Sequence, residues 1–254
     1  MQRVHFLLLA FYFGFMTLTA ETAWTADAGE LTIQPNVMDI GTFYSPEQVK
    51  ISGEVPSGHN VIVEIAGPAA NGLFDLKGRM GPFWMTRGKA EMVGAPAMYV
   101  LLLPGGRDWH KEASALGLGL DKLREKISIQ SAALPPDELF NMFVELKKSE
   151  GLYAEQDDAV TYAPADDGRR RFTAVYSFPR STVTGKYQIK ATAVANGAKI
   201  REQSHDFLVE EVGFVRLVYD LATNQRLTYG ILAVVIALFT GAVMGLLFKS
   251  RGGH

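Results

Sequence analysis

The sequence contains no cysteine in its 254 residues. Without cysteine there is no disulfide bond, no thiolate metal site, no iron–sulfur cluster and no haem attached through a cysteine. An oxidising compartment permits disulfide bonds but does not require them, so this composition is compatible with a protein outside the cytoplasm.

The sequence also lacks a strong excess of charge of either sign, with 25 basic and 27 acidic residues. Setting aside the two apolar ends removes three basic residues (Arg3, Lys249 and Arg251) and two acidic ones (Glu21 and Asp27). The remainder holds 22 basic and 25 acidic residues, which is a net charge of −3. This balance argues against nucleic acid as a partner.

The motifs of common catalytic sites are missing. There is no phosphate-binding loop, no dinucleotide fingerprint and no G-x-S-x-G turn around a serine nucleophile. His59, His110 and His205 have no second histidine two to four positions away, as metal sites on one element usually have. Asp108 and Ser114 lie close to His110, but they do not replace the missing nucleophile motif. We therefore predict no catalytic residue, no metal site, no cofactor and no enzymatic activity.

A long apolar run is present near the C-terminus. Residues 227–248 carry no charge, and a bilayer core needs roughly 20 apolar residues of helix. A helix satisfies its own backbone in lipid, so this segment predicts one transmembrane helix. Lys249 and Arg251 follow it, and the positive-inside rule then places a tail of residues 249–254 in the cytoplasm. We expect a single-pass protein of the bacterial inner membrane with its N-terminal domain in the periplasm.

The N-terminus is typical of a secretory signal peptide. Val4 to Leu18 is apolar after a basic start, and Ala26-Asp27-Ala28 has the form of a cleavage site. We predict a signal peptide over residues 1–28, with cleavage after Ala20 or Ala23 as alternatives. An uncleaved membrane anchor is the other interpretation.

Residues 29–210 read mainly as β-strands. Gln48 to Val55 and Val61 to Ile65 alternate in hydropathy around a turn at Pro56-Ser57-Gly58, which predicts a hairpin. Asn196-Gly197 favours a type I′ turn and predicts a second hairpin near the end of the domain. Tyr187 and the residues before it resemble the entry to the penultimate strand of immunoglobulin-like sandwiches. We predict an immunoglobulin-like β-sandwich, with two small sandwiches as the alternative.

A helical insertion is predicted at about residues 108–151. Leu116, Leu120, Leu123 and Ile127 have helical spacing, although two nearby glycines weaken the first turns of that helix. A second helix starts at Pro136, and Gly151 can cap it. Its apolar stripe consists of Leu139, Met142, Phe143 and Leu146. After the sandwich, residues 211–226 predict a short amphipathic helix next to the membrane.

Two groups of residues are candidates for binding. Gly241 and Gly245 form a G-x-x-x-G pattern in the apolar helix, which favours packing against a membrane partner or a second copy. In an alternative interpretation, a small ligand is bound in a cleft between sandwich and insertion, and the candidate lining residues are Arg79, Trp84, Met85 and Arg87. Four methionines in this region raise the alternative of a Cu(I) site, although methionine more often fills gaps in a core: Met80, Met85, Met92 and Met98.

Several short motifs along the exterior domain and the tail give the chain a family resemblance. The motifs are Phe83-Trp84-Met85, Ala95-Pro96-Ala97-Met98-Tyr99, Gly151-Leu152-Tyr153, Phe178-Pro179, Gly185-Lys186-Tyr187-Gln188-Ile189, Val212-Gly213-Phe214 and Tyr229-Gly230. With these the chain resembles a family of transmembrane proteins described from alphaproteobacteria, which have a signal peptide, an exterior β-rich domain and a C-terminal span. The family is uncharacterised, so it supplies no catalytic residues. The family looks like a group of companion proteins of sulfite-exporter-type permeases. This likeness implies an accessory role in the export of anions or sulfur compounds.

Two functions follow as expectations. The first is a membrane-anchored, non-enzymatic accessory or assembly protein that partners an integral membrane protein such as a sulfite-exporter-type permease. The alternative is an exterior module that binds a small anion or Cu(I). Contact with the lipid bilayer is common to both, and a homodimer through the transmembrane helix is a further expectation.

Overall fold

The computed structural model describes residues 30–41 and 46–249. The predicted signal peptide lies outside the described residues, and so do residues 250–254 of the predicted cytoplasmic tail. The described chain is mainly β and ends in one long apolar helix, which confirms the predicted fold class at this level.

Twelve strands and five helices make up the described chain. The strands are β1 Thr32–Gln34, β2 Val37–Ile40, β3 Gln48–Pro56, β4 Asn60–Ala66, β5 Gly72–Met80, β6 Phe83–Val93, β7 Tyr99–Pro104, β8 Ser128–Ser131, β9 Tyr153–Tyr162, β10 Arg169–Ser177, β11 Gly185–Ala195 and β12 Ala198–Glu211. The helices are α1 His110–Ala115, α2 Leu120–Lys126, α3 Pro136–Ser149, α4 Phe214–Asn224 and α5 Arg226–Lys249.

Nine of the strands form one hydrogen-bonded sheet in the order β1-β3-β10-β9-β7-β4-β11-β12-β2. The pairs β7–β9 and β2–β12 are parallel, and the other pairs are antiparallel. β1 and β2 occupy opposite edges of the sheet, yet only Pro35 and Asn36 separate them in the chain. Three peptide units span at most about 11 Å, so the sheet must curl until its two edges lie close together. The immunoglobulin-like classification of this curled sheet stays a prediction.

The core lies along the middle strands of the sheet. All of Val61–Ile65 in β4 and all of β7 are buried, so both strands are covered on both faces. β3 instead alternates between buried and more accessible positions, as a strand with one covered face does. The second sheet has the order β5-β6-β8 and joins the same core through Ala90 and Met92.

The two predicted hairpins have different outcomes. Asn196 (φ 52°) and Gly197 (φ 76°) form the two-residue turn between β11 and β12, which confirms the second hairpin. The first hairpin is wrong: β3 pairs with β1 and β10, whereas β4 pairs with β11 and β7. The turn at residues 57–58 exists, but it leads into β4, which is not a neighbour of β3 in the sheet. Turn residues fix a local change of direction and do not choose the partners of the two strands.

The hydroxyl of Tyr187 donates a hydrogen bond of 2.8 Å to the carbonyl oxygen of Val183, four residues upstream. Tyr187 is fully buried in β11, where Phe178 packs against its ring at 5.7 Å in a T-shaped arrangement. The tyrosine therefore fixes the entry of the chain into β11 in two ways: its ring packs in the core, and its hydroxyl binds the backbone upstream.

The predicted insertion contains helices, but its first helix is interrupted. α1 ends at Ala115 and α2 starts at Leu120, because Gly117 (φ 78°) and Gly119 (φ 101°) adopt conformations that an α-helix cannot continue. Leu120, Leu123 and Ile127 of the predicted apolar face are buried all the same. The second predicted helix is confirmed as α3, and Gly151 follows it with φ 73°.

The chain leaves the sheet through β12 and continues into α4 and α5. α4 corresponds to the amphipathic helix predicted next to the membrane, and it exposes Phe214, Leu217 and Tyr219. In α5, an 18-residue window of Arg226–Phe248 has a mean hydropathy of 2.7 and is not buried, so by length and composition this segment can cross a membrane.

Candidate functional site

The most unusual surface of the domain is carried by a long two-stranded ribbon, which we define as residues 66–99. It begins where Ala66 of β4 pairs with Tyr99 of β7. Three backbone hydrogen bonds of 2.7–2.8 Å carry the ladder onward: Gly67 N to Met98 O, Ala97 N to Pro68 O and Ala70 N to Ala95 O. The β5–β6 pair then continues it from Gly72 opposite Met92 to Met80 opposite Phe83.

At Gly67, where the ribbon leaves the sheet, the backbone lies very close to neighbouring atoms. A Cβ atom on Gly67 would lie 2.9 Å from the backbone nitrogen of Met98 and 3.0 Å from Cε1 of Tyr187. Only glycine fits there without moving the backbone, because such separations are far shorter than ordinary van der Waals contacts. Gly67 thus allows the two strands of the ribbon to stay paired as they pass Tyr187.

The lower half of the ribbon is fixed against the helical insertion. Phe74 of β5 contacts Phe143 of α3, with ring centroids 5.6 Å apart and planes at 71°. Residues Ala90–Val93 of β6 pair with β8, which precedes α3 in the chain. These contacts attach the lower half to the body of the domain and leave the far end of the ribbon projecting.

The far end of the ribbon is apolar and exposed. We define the ribbon tip as residues 80–85, where Gly81 (φ 61°) and Pro82 form the turn. The exposed fractions of its large side chains are 53% for Met80, 67% for Phe83, 73% for Trp84 and 51% for Met85. Clusters of large apolar side chains at this level of exposure mark interaction sites on folded proteins.

The four residues predicted to line a ligand cleft all lie at or beside the ribbon tip, on two faces of the ribbon. Arg79 is directly opposite Trp84, so their side chains share one face. Met85 is opposite Gly78, and a Cβ atom on Gly78 would overlap the side chain of Arg87, so Met85 and Arg87 share the other face. The structure thus places the predicted residues on a projecting ribbon, and none of them lines the three cavities described in the sheet region. Ligand binding by these residues stays a prediction.

The methionines of the same region are divided between the ribbon and the core. Met80 and Met85 are at the ribbon tip, whereas Met92 and Met98 are buried, with exposed fractions of 2% and 0%. Among the described residues, no group of three or more histidine, cysteine or acidic side chains is arranged to hold a metal ion. The buried pair fits the core role of methionine.

A polar cluster that the sequence analysis did not predict lies between α1 and β9. His110 Nδ1 is 3.3 Å from Oε2 of Glu155, and His110 Nε2 is 3.2 Å from Oδ1 of Asp157. Glu155 also accepts a 2.7 Å hydrogen bond from the backbone of Leu120 at the start of α2. Burial lowers the pKa of His110, but its hydrogen bond to Asp157 and the charges of Asp157, Glu155 and Asp108 outweigh burial and raise the pKa above 6.5. The cluster connects the insertion to the sheet.

The membrane helix has one face without bulky side chains. Gly241 and Gly245 are one helical turn apart in α5, and a Cβ atom at either position meets no described atom within 4 Å. Large exposed side chains surround this face, among them Leu238 and Leu246. The predicted packing residues thus form a flat, open strip, while packing itself stays a prediction.

A family model described as "Putative transmembrane protein (Alph_Pro_TM)" matches residues 30–250 of the chain. The chain belongs to the Alph_Pro_TM family. The match runs from just before β1 to the end of α5, so it includes both the ribbon and the membrane helix. No curated protein matches the chain.

Membership of Alph_Pro_TM and the apolar helix α5 together identify a membrane protein, which contacts the lipid bilayer. The match bears out the family resemblance given by the sequence motifs. It does not bear on the sulfite-exporter-type permease that the resemblance implied.

The ribbon was missed at the sequence level because β5 was not recognised. Phe74, Leu76 and Met80 alternate with Asp75, Lys77 and Arg79, which is a period-two signal, but Gly72 and Gly78 make it weak. A second signal was available in the charges: residues 77–89 contain four basic residues and no acidic one.

Proposed function

We propose that this Alph_Pro_TM protein is a non-enzymatic accessory subunit anchored in the bacterial inner membrane by α5. Its β-rich domain is in the periplasm, its C-terminus is in the cytoplasm, and α5 packs against a polytopic membrane protein. A sulfite-exporter-type permease is the partner that the family resemblance suggests.

The observation that carries the proposal is the open strip of Gly241 and Gly245 on α5. Lipid tails are as apolar as leucine side chains, so helices in a membrane associate through close packing rather than through the hydrophobic effect. Two glycines one turn apart let a partner helix approach the backbone closely, and a single span offers this surface to other proteins. Such a surface suits a subunit that joins a larger membrane assembly.

The test is an affinity purification of the full-length protein from its native membrane in mild detergent, followed by mass spectrometry. The wild type is expected to retain one polytopic protein in a fixed ratio, and Gly241→Leu with Gly245→Leu is expected to lose it. Ala233→Leu is the control, because it also replaces a small residue by leucine but lies roughly 80–120° around the same helix from the two glycines.

Two results would overturn the accessory role. The first is purification of the wild type as a monodisperse monomer from membranes that contain its natural partners. The second is equal retention of the polytopic protein by the wild type and the double variant. Recovery of the chain with itself alone would support the predicted homodimer and not the accessory role.

The alternative prediction, binding of a small anion or Cu(I), has less support from the described residues. Arg79 and Arg87 lie on different faces of the ribbon, so one small anion between them is not favoured. Two of the four methionines are in the core.

A further inference from the structure

We propose that the ribbon tip is a second membrane contact of this protein and inserts into the headgroup region of the bilayer that α5 spans. The inference rests on the membrane anchor and not on the proposed accessory role. Its occupant is the lipid surface, with anionic headgroups around the basic residues of the ribbon.

The first argument is the chemistry of the tip. Tryptophan is enriched at membrane interfaces because its ring is apolar and its N–H is polar, and Trp84 is the most exposed of the four large tip side chains at 73%. Phe83 and Met80 are directly opposite each other across the turn and form one apolar surface. Aromatic and apolar groups of this kind are those that interfacial segments bury at the boundary between headgroups and acyl chains.

The second argument is charge. Residues 77–89 carry four basic side chains and no acidic one, although the whole chain has a net charge of −2. Lys77, Arg79, Arg87 and Lys89 thus flank the apolar tip on both strands. Basic residues are attracted to an anionic leaflet, and their long side chains keep the charge at headgroup level while the stems lie on apolar surface.

The third argument is position. β12 runs to Glu211 and then into α4 and α5, so the end of the sheet that holds Glu211 faces the anchor. Val209 is opposite Gly185, Gln188 is opposite Ala66, and Ala66 is opposite Tyr99. The two ends of the ribbon, Ala66 and Tyr99, therefore lie at the same end of the sheet as the anchor.

The lengths agree with this position. α4 and its connections on both sides separate the sheet from α5 by at most about 34 Å. From Gly72 to Met80 the ribbon extends about 26 Å, and the paired stretch between Ala66 and Gly72 adds up to about 20 Å. Counted from Ala66, the ribbon is thus long enough to reach across this gap.

The absence of cysteine gives a direct experiment on the full-length protein. Met85→Cys places a single thiol at the ribbon tip and keeps Phe83 and Trp84, whereas Ser57→Cys places one at the opposite end of the sheet. Each variant is labelled with an environment-sensitive fluorophore and reconstituted alone into phosphatidylcholine vesicles, with or without phosphatidylglycerol. A lipid that carries a quencher in its acyl chain reports contact with the bilayer.

We expect the label at position 85 to lose emission to the lipid quencher and the label at position 57 to keep it. Replacing Lys77, Arg79, Arg87 and Lys89 by glutamine is expected to reduce this loss mainly in vesicles with phosphatidylglycerol. The melting temperature of each variant in detergent is the control for folding.

Equal emission at positions 85 and 57 in vesicles with phosphatidylglycerol would overturn the proposal. So would quenching at position 85 that disappears when the protein is diluted in lipid, because this would show contact between copies. Crosslinking of position 85 to another protein in native membranes, without quenching in vesicles, would assign the tip to a protein partner instead. The outcomes in vesicles are independent of whether α5 binds a permease, because the vesicles contain this chain alone.

Discussion

The hydroxyl of Tyr187 reaches back four residues to the carbonyl oxygen of Val183 at 2.8 Å, and this contact fixes the start of β11. The same ring lies beside Gly67, where the ribbon leaves the sheet. One buried side chain therefore organises two connections: the entry into β11 and the exit of the chain from β4.

Removal of this hydroxyl tests its role. Tyr187→Phe keeps the contact with the Phe178 ring but leaves the Val183 carbonyl without the hydroxyl that donates to it. We expect a loss of about 1–2 kcal/mol in the free energy of unfolding. Thermal unfolding of the full-length protein in detergent measures it, and an unchanged midpoint would show that water replaces the hydroxyl at no cost.

A methyl group on Gly67 is expected to be more harmful. Gly67→Ala would push Cβ to 2.9 Å from the backbone of Met98, and overpacking of this kind costs typically 1–3 kcal/mol. Gly41→Ala is the matched control, since the described atom nearest to its new Cβ is 3.8 Å away. Equal melting temperatures of the two variants would contradict the tight exit of the ribbon.

The buried tyrosines predict the behaviour of the domain in alkali. Burial raises the pKa of Tyr176 to about 12, and burial also raises the pKa of Tyr153 and of Tyr99, where the Glu64 carboxylate adds to it. A tyrosine in the unfolded chain ionises near pH 10, so these groups stabilise the fold below that pH and lose their contribution as the pH rises above it. Absorbance of tyrosinate against pH is expected to show a late fraction that appears together with the loss of the fold. Full ionisation near pH 10 with the fold intact would be inconsistent with their burial.

We expect His110 to have a smaller effect on stability, between mild acid and mild alkali. Its raised pKa means that its carboxylate partners stabilise the fold below pH 6.5 and that this contribution is lost as the pH rises through the folded pKa. His110→Gln is therefore expected to destabilise the protein more in mild acid than in mild alkali. The difference is about 0.5 kcal/mol or less, because 43% of the side chain is exposed.

A comparison of melting temperatures at the two pH values measures the effect of His110. The same substitution in an Asp157→Asn background is the control, since the main partner is then neutral. A pH dependence that persists undiminished in this background would assign it to another group.

Local chemistry predicted some elements and not others. Asn196-Gly197 specified its hairpin because both residues must adopt positive φ in a two-residue turn, and this requirement is contained in two positions. Pro56-Ser57-Gly58 specified a turn equally well, but β3 pairs with β10 and β4 pairs with β11, each more than a hundred residues further along the chain. The hydropathy pattern of Val61 to Ile65 predicts a strand, but β4 is buried on both faces, and the pattern does not show which strands lie beside it.

The sequence drew attention to residues of the ribbon tip and its flank but not to their geometry, and ligand binding by them stays a prediction. Arg79, Trp84, Met85 and Arg87 stand out as large or charged groups in a glycine-rich stretch, which is visible in the sequence. Their division between two faces depends on the register of β5 with β6 and on the irregularity between Leu76 and Lys77. A one-residue change of register moves every side chain to the other face, and composition does not reveal it.

The continuous ladder of the ribbon has a mechanical consequence. Its two strands are the outward extensions of β4 and β7, which lie side by side in the middle of the sheet and are buried on both faces. A force on Trp84 is therefore transmitted to the centre of the domain through this ladder, and also to α3 through the contact of Phe74 with Phe143. If the tip is held at a surface while α5 is held in the bilayer, the domain is attached to the membrane at two places. The two attachments together restrict the tilt of the domain over the membrane.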